Sequence, residues 1–154
     1  MPACTFFGDS HCGDSVYSCL LAVIEKLIAT EKVSTFYVGN NGNFDKLVQK
    51  ALHQIKQEHT GVNCYTVLAY LPGEKKEFDL PSPLETIYPE GIENTPLRYA
   101  INSRNLWMIN NSAFVVTYPS PFGNSAKLSD IAFFKKKYVI NLKEEMQELF
   151  PFRK

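Results

Sequence analysis

Two short runs of β-branched and aromatic residues, Thr5–Gly8 (TFFG) and Thr35–Gly39 (TFYVG), each stop at a glycine. Between them, Val16, Cys19, Leu20, Val23, Ile24, Leu27 and Ile28 recur at spacings of three and four, the period of one helix face. Asp14 or Ser15 is placed to cap that helix. The same alternation continues along the chain. A polar turn, Asn40–Asn43, ends in a capping asparagine and leads into a second stripe of Phe44, Leu47, Val48, Ala51, Leu52 and Ile55. A third apolar run follows at Cys64–Tyr70 (CYTVLAY). Helix periods are then expected from about Pro96 to Asn111 and over Ser125–Lys136, with strands at Ala113–Tyr118 and Tyr138–Leu142 and a short helix in the tail 144–154. Strands that alternate with helices pair in parallel, with the helices as crossovers. The expected class is therefore α/β, with a mainly parallel sheet of about five strands.

At 154 residues the chain suits one domain spanning 1–154. The segment 71–95 (LPGEKKEFDLPSPLETIYPEGIENT) is too rich in proline and charge for an ordinary connection and reads as a long loop. Lys plus Arg equals Asp plus Glu at 16 each. That balance gives no general basic surface, so neither nucleic acid nor a membrane surface is expected as a partner. No apolar run approaches the ~20 residues of a membrane span, and no secretory leader is visible. Cys4, Cys12, Cys19 and Cys64 form no CxxC pair, and Cys4 and Cys64 sit in apolar runs. A reducing, cytoplasmic setting without disulfides is expected, and His11, Cys12 and Cys19 are too few to hold a metal. No cofactor is implied.

In a parallel sheet the C-terminal ends of the strands share one edge, where helices begin with free N–H groups and a positive dipole end. Three corners there carry small polar residues: Gly8, Asp9 and Ser10; Gly39, Asn40, Asn41, Gly42 and Asn43; and Ser120 to Ser125, which includes Gly123, Asn124 and Ser125. Glycine admits close approach of a phosphate, and serine and asparagine add hydrogen-bonding groups. Neither GxGxxG nor GxxxxGK[ST] occurs, so an ordinary dinucleotide site or P-loop is not expected. Arg98 and Arg104 lie roughly 120° apart on their helix. Arg104 leads into the strand before the Gly123 loop, and its guanidinium fork suits phosphate.

The stretch from Ile101 to Leu128 (INSRNLWMINNSAFVVTYPSPFGNSAKL) resembles the centre of LOG-type (Lonely Guy) phosphoribohydrolases. There, a helix with a catalytic Arg and a Met four residues on leads through an apolar strand to PGGxGTxxE. Arg104 and Met108 match the helix, and Pro119, Gly123 and Asn124 fall on the loop. More of the chain, from Cys4 to Leu142, looks like the YpsA-like branch of the wider SLOG (SMF/DprA–LOG) superfamily. CTFFG, FYVGNNGNFD, VLAYLPG, TIYPEGIE and RNLWMINNS carry that likeness. It implies a Rossmann-like three-layer α/β/α fold, a nucleotide or NAD-derived ligand, and pairing into a homodimer or higher homo-oligomer.

The departures fall on the catalytic positions. Ser120, Pro121 and Phe122 replace loop residues that include two glycines, and the position of the catalytic Glu holds Ala126, which cannot handle a proton. Gly8 is followed by Asp9, Ser10 and His11 where YpsA-like proteins often carry Gly-His-Arg. Hydrolysis in the LOG manner is thus disfavoured, and binding of a nucleotide-type ligand is the expected activity. A hydrolase with a relocated acid, Asp9 or Glu90 acting with Arg104, is the alternative. Glu85 and Glu93 share the long loop with Glu90. A scaffold with a vestigial pocket is a further alternative. It would need Phe133, Phe134, Phe150 and Phe152 to be exposed, although core and tail packing is the reading expected for them.

Overall fold

The computed structural model describes residues 2–8, 15–40, 42–70, 83–119 and 124–149. Six strands occur among them: β1 (Ala3–Gly8), β2 (Thr35–Val38), β3 (Asn63–Val67), β4 (Glu85–Ile87), β5 (Phe114–Tyr118) and β6 (Tyr138–Asn141). They form one sheet in the order β4-β3-β2-β1-β5-β6, and every pair is parallel. Five helices connect or follow them: α1 (Ser15–Glu31), α2 (Gly42–Glu58), α3 (Ala100–Asn110), α4 (Asn124–Phe134) and α5 (Leu142–Leu149). This is the expected α/β, Rossmann-like architecture.

The central strands are apolar on both sides because helices cover both faces of the sheet. On one face Phe6, Phe36 and Val116 meet α1, α2 and Leu142 of α5. On the other, Phe7, Val67 and Val115 meet Met108 and Ile109 of α3 and Leu128 and Ala132 of α4. Cys4 aligns with Phe36 on one side and Phe114 on the other, so β1 is the axis of the sheet. The chain adds β2, β3 and β4 on one side of that axis and β5 and β6 on the other. The C-terminal ends of β1 and β5 flank the point of reversal, where open α/β sheets hold their ligands.

Three expectations need correction. The segment expected to be a long loop contains β4, which pairs with β3 from Tyr65 opposite Glu85 to Val67 opposite Ile87. Only Thr86 and Ile87 are β-branched there, between Pro83 and Pro89, which is too short a run to show a period. A 3-10 turn over Ile92–Asn94 follows. The third helix begins at Ala100, after a separate 3-10 turn at Leu97–Tyr99. Its buried face is Ala100, Arg104, Asn105, Met108 and Ile109, while Tyr99 and Leu106 are exposed. Phe133 and Phe134 are not core residues but point to solvent. Phe150 and Phe152 lie outside the described residues. No described helix is long and apolar enough to cross a membrane. Cys4, Cys19 and Cys64 are free, buried thiols.

Candidate functional site

Several buried polar groups come together where β2 and β3 end: Arg104, Asn105, Asp45 and Gln49. Arg104 is 2% exposed. It reaches that edge because Ala100, Arg104 and Met108 lie at i, i+4 and i+8, on the face of α3 turned to the sheet. Its Nε donates to Asn105 Oδ1 at 2.8 Å. Its Nη1 donates to the Val67 carbonyl at 3.1 Å and to Asn40 Oδ1 at 3.4 Å. Burial pushes the guanidinium below its ordinary pKa, and Asp45, then Tyr70, act in the opposite sense.

Gly39 is the hinge of this cluster. A Cβ built there would lie 2.9 Å from Arg104 Cζ and Nη1 and 2.9 Å from Asp45 Oδ2. The missing side chain thus gives room to a guanidinium and a carboxylate together. Gln49, one turn beyond Asp45 on α2, donates from Nε2 to the Gly39 carbonyl at 2.9 Å and closes the corner from behind. Both Asp45 and Gln49 are buried. The apolar stripe of α2 did not mark them, although their i, i+4 spacing beside Phe44 and Val48 is the signal that places them on the inward side.

Of the expected site residues, the structure brings together Gly39, Asn40 and Arg104. Asp45, Gln49 and Asn105 join them without having been anticipated. Gly8 serves a different purpose: a Cβ there would lie 2.6 Å from Cδ1 and Cδ2 of Phe44. That ring is fully buried and stacks on Tyr118. Gly8 is therefore small because an aromatic ring covers it. Ser125 is buried in the first turn of α4, and its carbonyl accepts from Ser129 Oγ at 3.1 Å. Glu85, Glu90 and Glu93 are exposed, and among the described residues no contact joins Glu90 to Arg104. Arg98 is exposed over the Tyr99 ring, a solvated charge. Asp9, Ser10, Asn41 and Gly123 lie outside the described residues, as does the side chain of Asn124.

One further group at this edge was not foreseen. Thr117, near the C-terminal end of β5, is 1% exposed and its hydroxyl has no hydrogen-bond partner among the described residues. It aligns with Phe7 of β1, beside the point of reversal. Ser112 Oγ is likewise unpaired, but at the opposite end of β5. Among the described residues, two cavities lie elsewhere. One of about 190 Å³ touches His53, Asn63 and Glu85, where β3 and β4 begin. One of about 160 Å³ lies between Leu27, Phe114 and Glu145. Both fall below the ~300 Å³ of an ordinary ligand pocket. Glu25, Glu58 and His59 bring donor atoms within 4.8 Å of one another, and the 3.0 Å contact of His59 Nε2 with Glu25 Oε2 accounts for that cluster as a surface hydrogen bond.

No family model matches the chain, and no curated protein matches it. Solved structures do. DNA processing protein A from Helicobacter pylori, described for its single-stranded DNA binding mode, aligns over 99% of this chain and 74% of its own. The TM-score is 0.59 and the identity 11%, so the likeness is one of fold. It corrects one expectation. A protein with this fold engages single-stranded DNA, so a balanced total charge does not remove nucleic acid from the possible partners. Total charge is a sum over the chain, whereas a polyanion meets only the charges on one surface.

Proposed function

We propose that the chain is a binding module for a nucleotide or NAD-derived ligand, held where β2, β1 and β5 end. The observation that carries this reading is a buried arginine beside the Gly39–Asn40 corner, a backbone turn of the kind that takes phosphate. Arg104 costs free energy to bury, and its hydrogen-bonding partners hold it in one orientation next to Gly39 and Asn40. Thr117, a buried hydroxyl at the same edge without a partner among the described residues, suits a ligand oxygen. Gly123, Asn124 and Ser125 follow β5 and would complete the phosphate contacts, with Asp9 and Ser10 at the end of β1. The likeness to DNA processing protein A supports a nucleotide-type ligand and agrees with the SLOG resemblance of the sequence.

The same reading takes 1–154 as one domain in a cytoplasmic setting, which suits three buried free thiols. Pairing of two copies belongs to it by resemblance. A thermal-shift panel of nucleoside mono-, di- and triphosphates, NAD, ADP-ribose and cyclic nucleotides tests it. A ligand at a hundredfold excess over its Kd stabilises by about 2.7 kcal/mol. A shift with one class, lost in Arg104→Lys, is the expected outcome. No shift across the panel would remove the reading.

Asp45 favours a second reading. A buried carboxylate near Arg104 is a relocated acid of the kind a nucleotide N-glycosidase needs once Ala126 stands at the usual Glu position. Free base released from a nucleotide, and lost in Asp45→Asn, would support it. Absence of free base at high protein concentration would end it.

A further inference from the structure

We propose that the corner between α4 and β6 is a docking surface for single-stranded nucleic acid. The sequence there is Phe133-Phe134-Lys135-Lys136-Lys137-Tyr138. Phe133 is 73% exposed, Phe134 82% and Tyr138 70%. The two phenyl rings meet edge to face at 6.3 Å, so at most one ring face is taken up by the pair. The Tyr138 ring stacks on Phe114 at 5.4 Å, which fixes its plane and leaves it largely open to solvent. The backbone between the rings is also fixed. Lys136 takes a left-handed conformation with φ 62°. Lys136 N–H donates to the Phe133 carbonyl and Lys137 N–H to the Ala132 carbonyl, each at 3.0 Å, the paired bonds of a Schellman helix end.

Open aromatic rings interleaved with cations are the arrangement that binds single strands: bases stack on the rings and phosphates meet the lysines. A duplex hides its base faces and could use only the charge. A second copy of this chain fits poorly, because a twofold contact through the corner would set Lys135, Lys136 and Lys137 against the same three lysines. A lipid surface fits poorly too, since Lys127 and Asp130 are exposed on α4 within two turns of the rings and interrupt any apolar face. Tyr138 and Phe114 begin their strands, so this corner lies at the opposite edge of the sheet from Arg104, separated from it by the length of β5, about 13 Å.

Fluorescence anisotropy with a labelled 20-residue oligo(dT) tests the proposal. Three phosphate contacts predict an affinity that falls about 20-fold between 50 and 200 mM salt. The double variant Phe133→Ser/Phe134→Ser is expected to weaken binding about tenfold or more. Lys135→Glu/Lys137→Glu is expected to weaken it and flatten the salt dependence. Thermal melts of both variants check that the fold is kept. No binding at about 100 µM protein, or binding that neither variant changes, overturns the proposal. So does either of two other results in the absence of oligo(dT) binding: variant-sensitive sedimentation with phosphatidylserine vesicles, or variant-sensitive self-association in the ultracentrifuge. The nucleotide panel is run on the same variants, so failure at one edge is read separately from failure at the other.

Discussion

Arg104 and Phe134 sit at opposite edges of one sheet and reverse the usual places of charge and grease. The arginine is almost fully buried, and the phenylalanine is 82% exposed. Burying a charge needs a set of partners built for it, and the Val67 carbonyl, Asn40 and Asn105 are that set. Exposing an apolar ring needs nothing from the fold, because no core contact depends on it. The two sites should therefore respond to mutation in opposite ways: the Arg104 edge through stability and ligand together, the α4–β6 corner through partner binding alone.

The largest effect is expected at Arg104. Arg104→Ala removes one member of a buried charged group and leaves Asp45 buried beside it, which costs about 3–5 kcal/mol. Urea unfolding of wild type and variant measures this. A loss below about 1 kcal/mol would mean that the cluster at the β2 and β3 ends does not hold the guanidinium as described.

Gly39→Ala comes next, at about 1–3 kcal/mol, the usual range for overpacking. Gly39 is not among the left-handed glycines, Gly42 and Gly91. The cost is therefore steric and comes from Arg104 and Asp45. A double-mutant cycle sharpens the point. In an Arg104→Ala background, Gly39→Ala should cost clearly less, because one of the two groups it strikes is gone. Equal costs in the two backgrounds would place the strain elsewhere.

These residues also show what the sequence could carry. The apolar periods of α1 and α2 and the β-branched runs of β1, β2 and β5 identify themselves, since burial on one or both faces leaves a repeating mark. β4 does not, because three residues at a sheet edge show no period. Arg104 lies on an i, i+4 row with Ala100 and Met108, but a search for apolar stripes selects Tyr99, Ile101, Leu106, Met108 and Ile109 and passes over the arginine on the buried row. Gly8 and Gly39 look alike in sequence. Only the fold reveals that Phe44 covers the first and a guanidinium the second. Asp45 and Gln49 were hidden because polar residues on an amphipathic helix are read as the wet face.

Thr117→Val is a smaller change of opposite sign. A buried hydroxyl without a partner carries an unrecovered desolvation cost of about 1–3 kcal/mol. Valine keeps the branched shape, so the free protein should gain about 1 kcal/mol. Calorimetry of the free protein and the thermal-shift panel separate two roles. A variant that is more stable but loses its ligand shift assigns the hydroxyl to the ligand. A variant that keeps the shift assigns it to packing alone. Loss of stability would show that the hydroxyl has a partner in the native protein.

The smallest effect on stability belongs to the rings that most change the surface. Phe133→Ser/Phe134→Ser removes two large apolar side chains, a change that in the core would cost several kcal/mol. At 73% and 82% exposure the rings contribute little to the folded state, and surface substitutions of this kind stay within about 0.5 kcal/mol each. Urea midpoints of the variant and wild type should nearly coincide. If the midpoint instead drops with increasing dilution of wild type but not of the variant, the rings are buried in an assembly and the contrast with Arg104 disappears. If the midpoints coincide at every concentration, the exposed rings do no work for folding, and whatever keeps them in the sequence has to act at the surface.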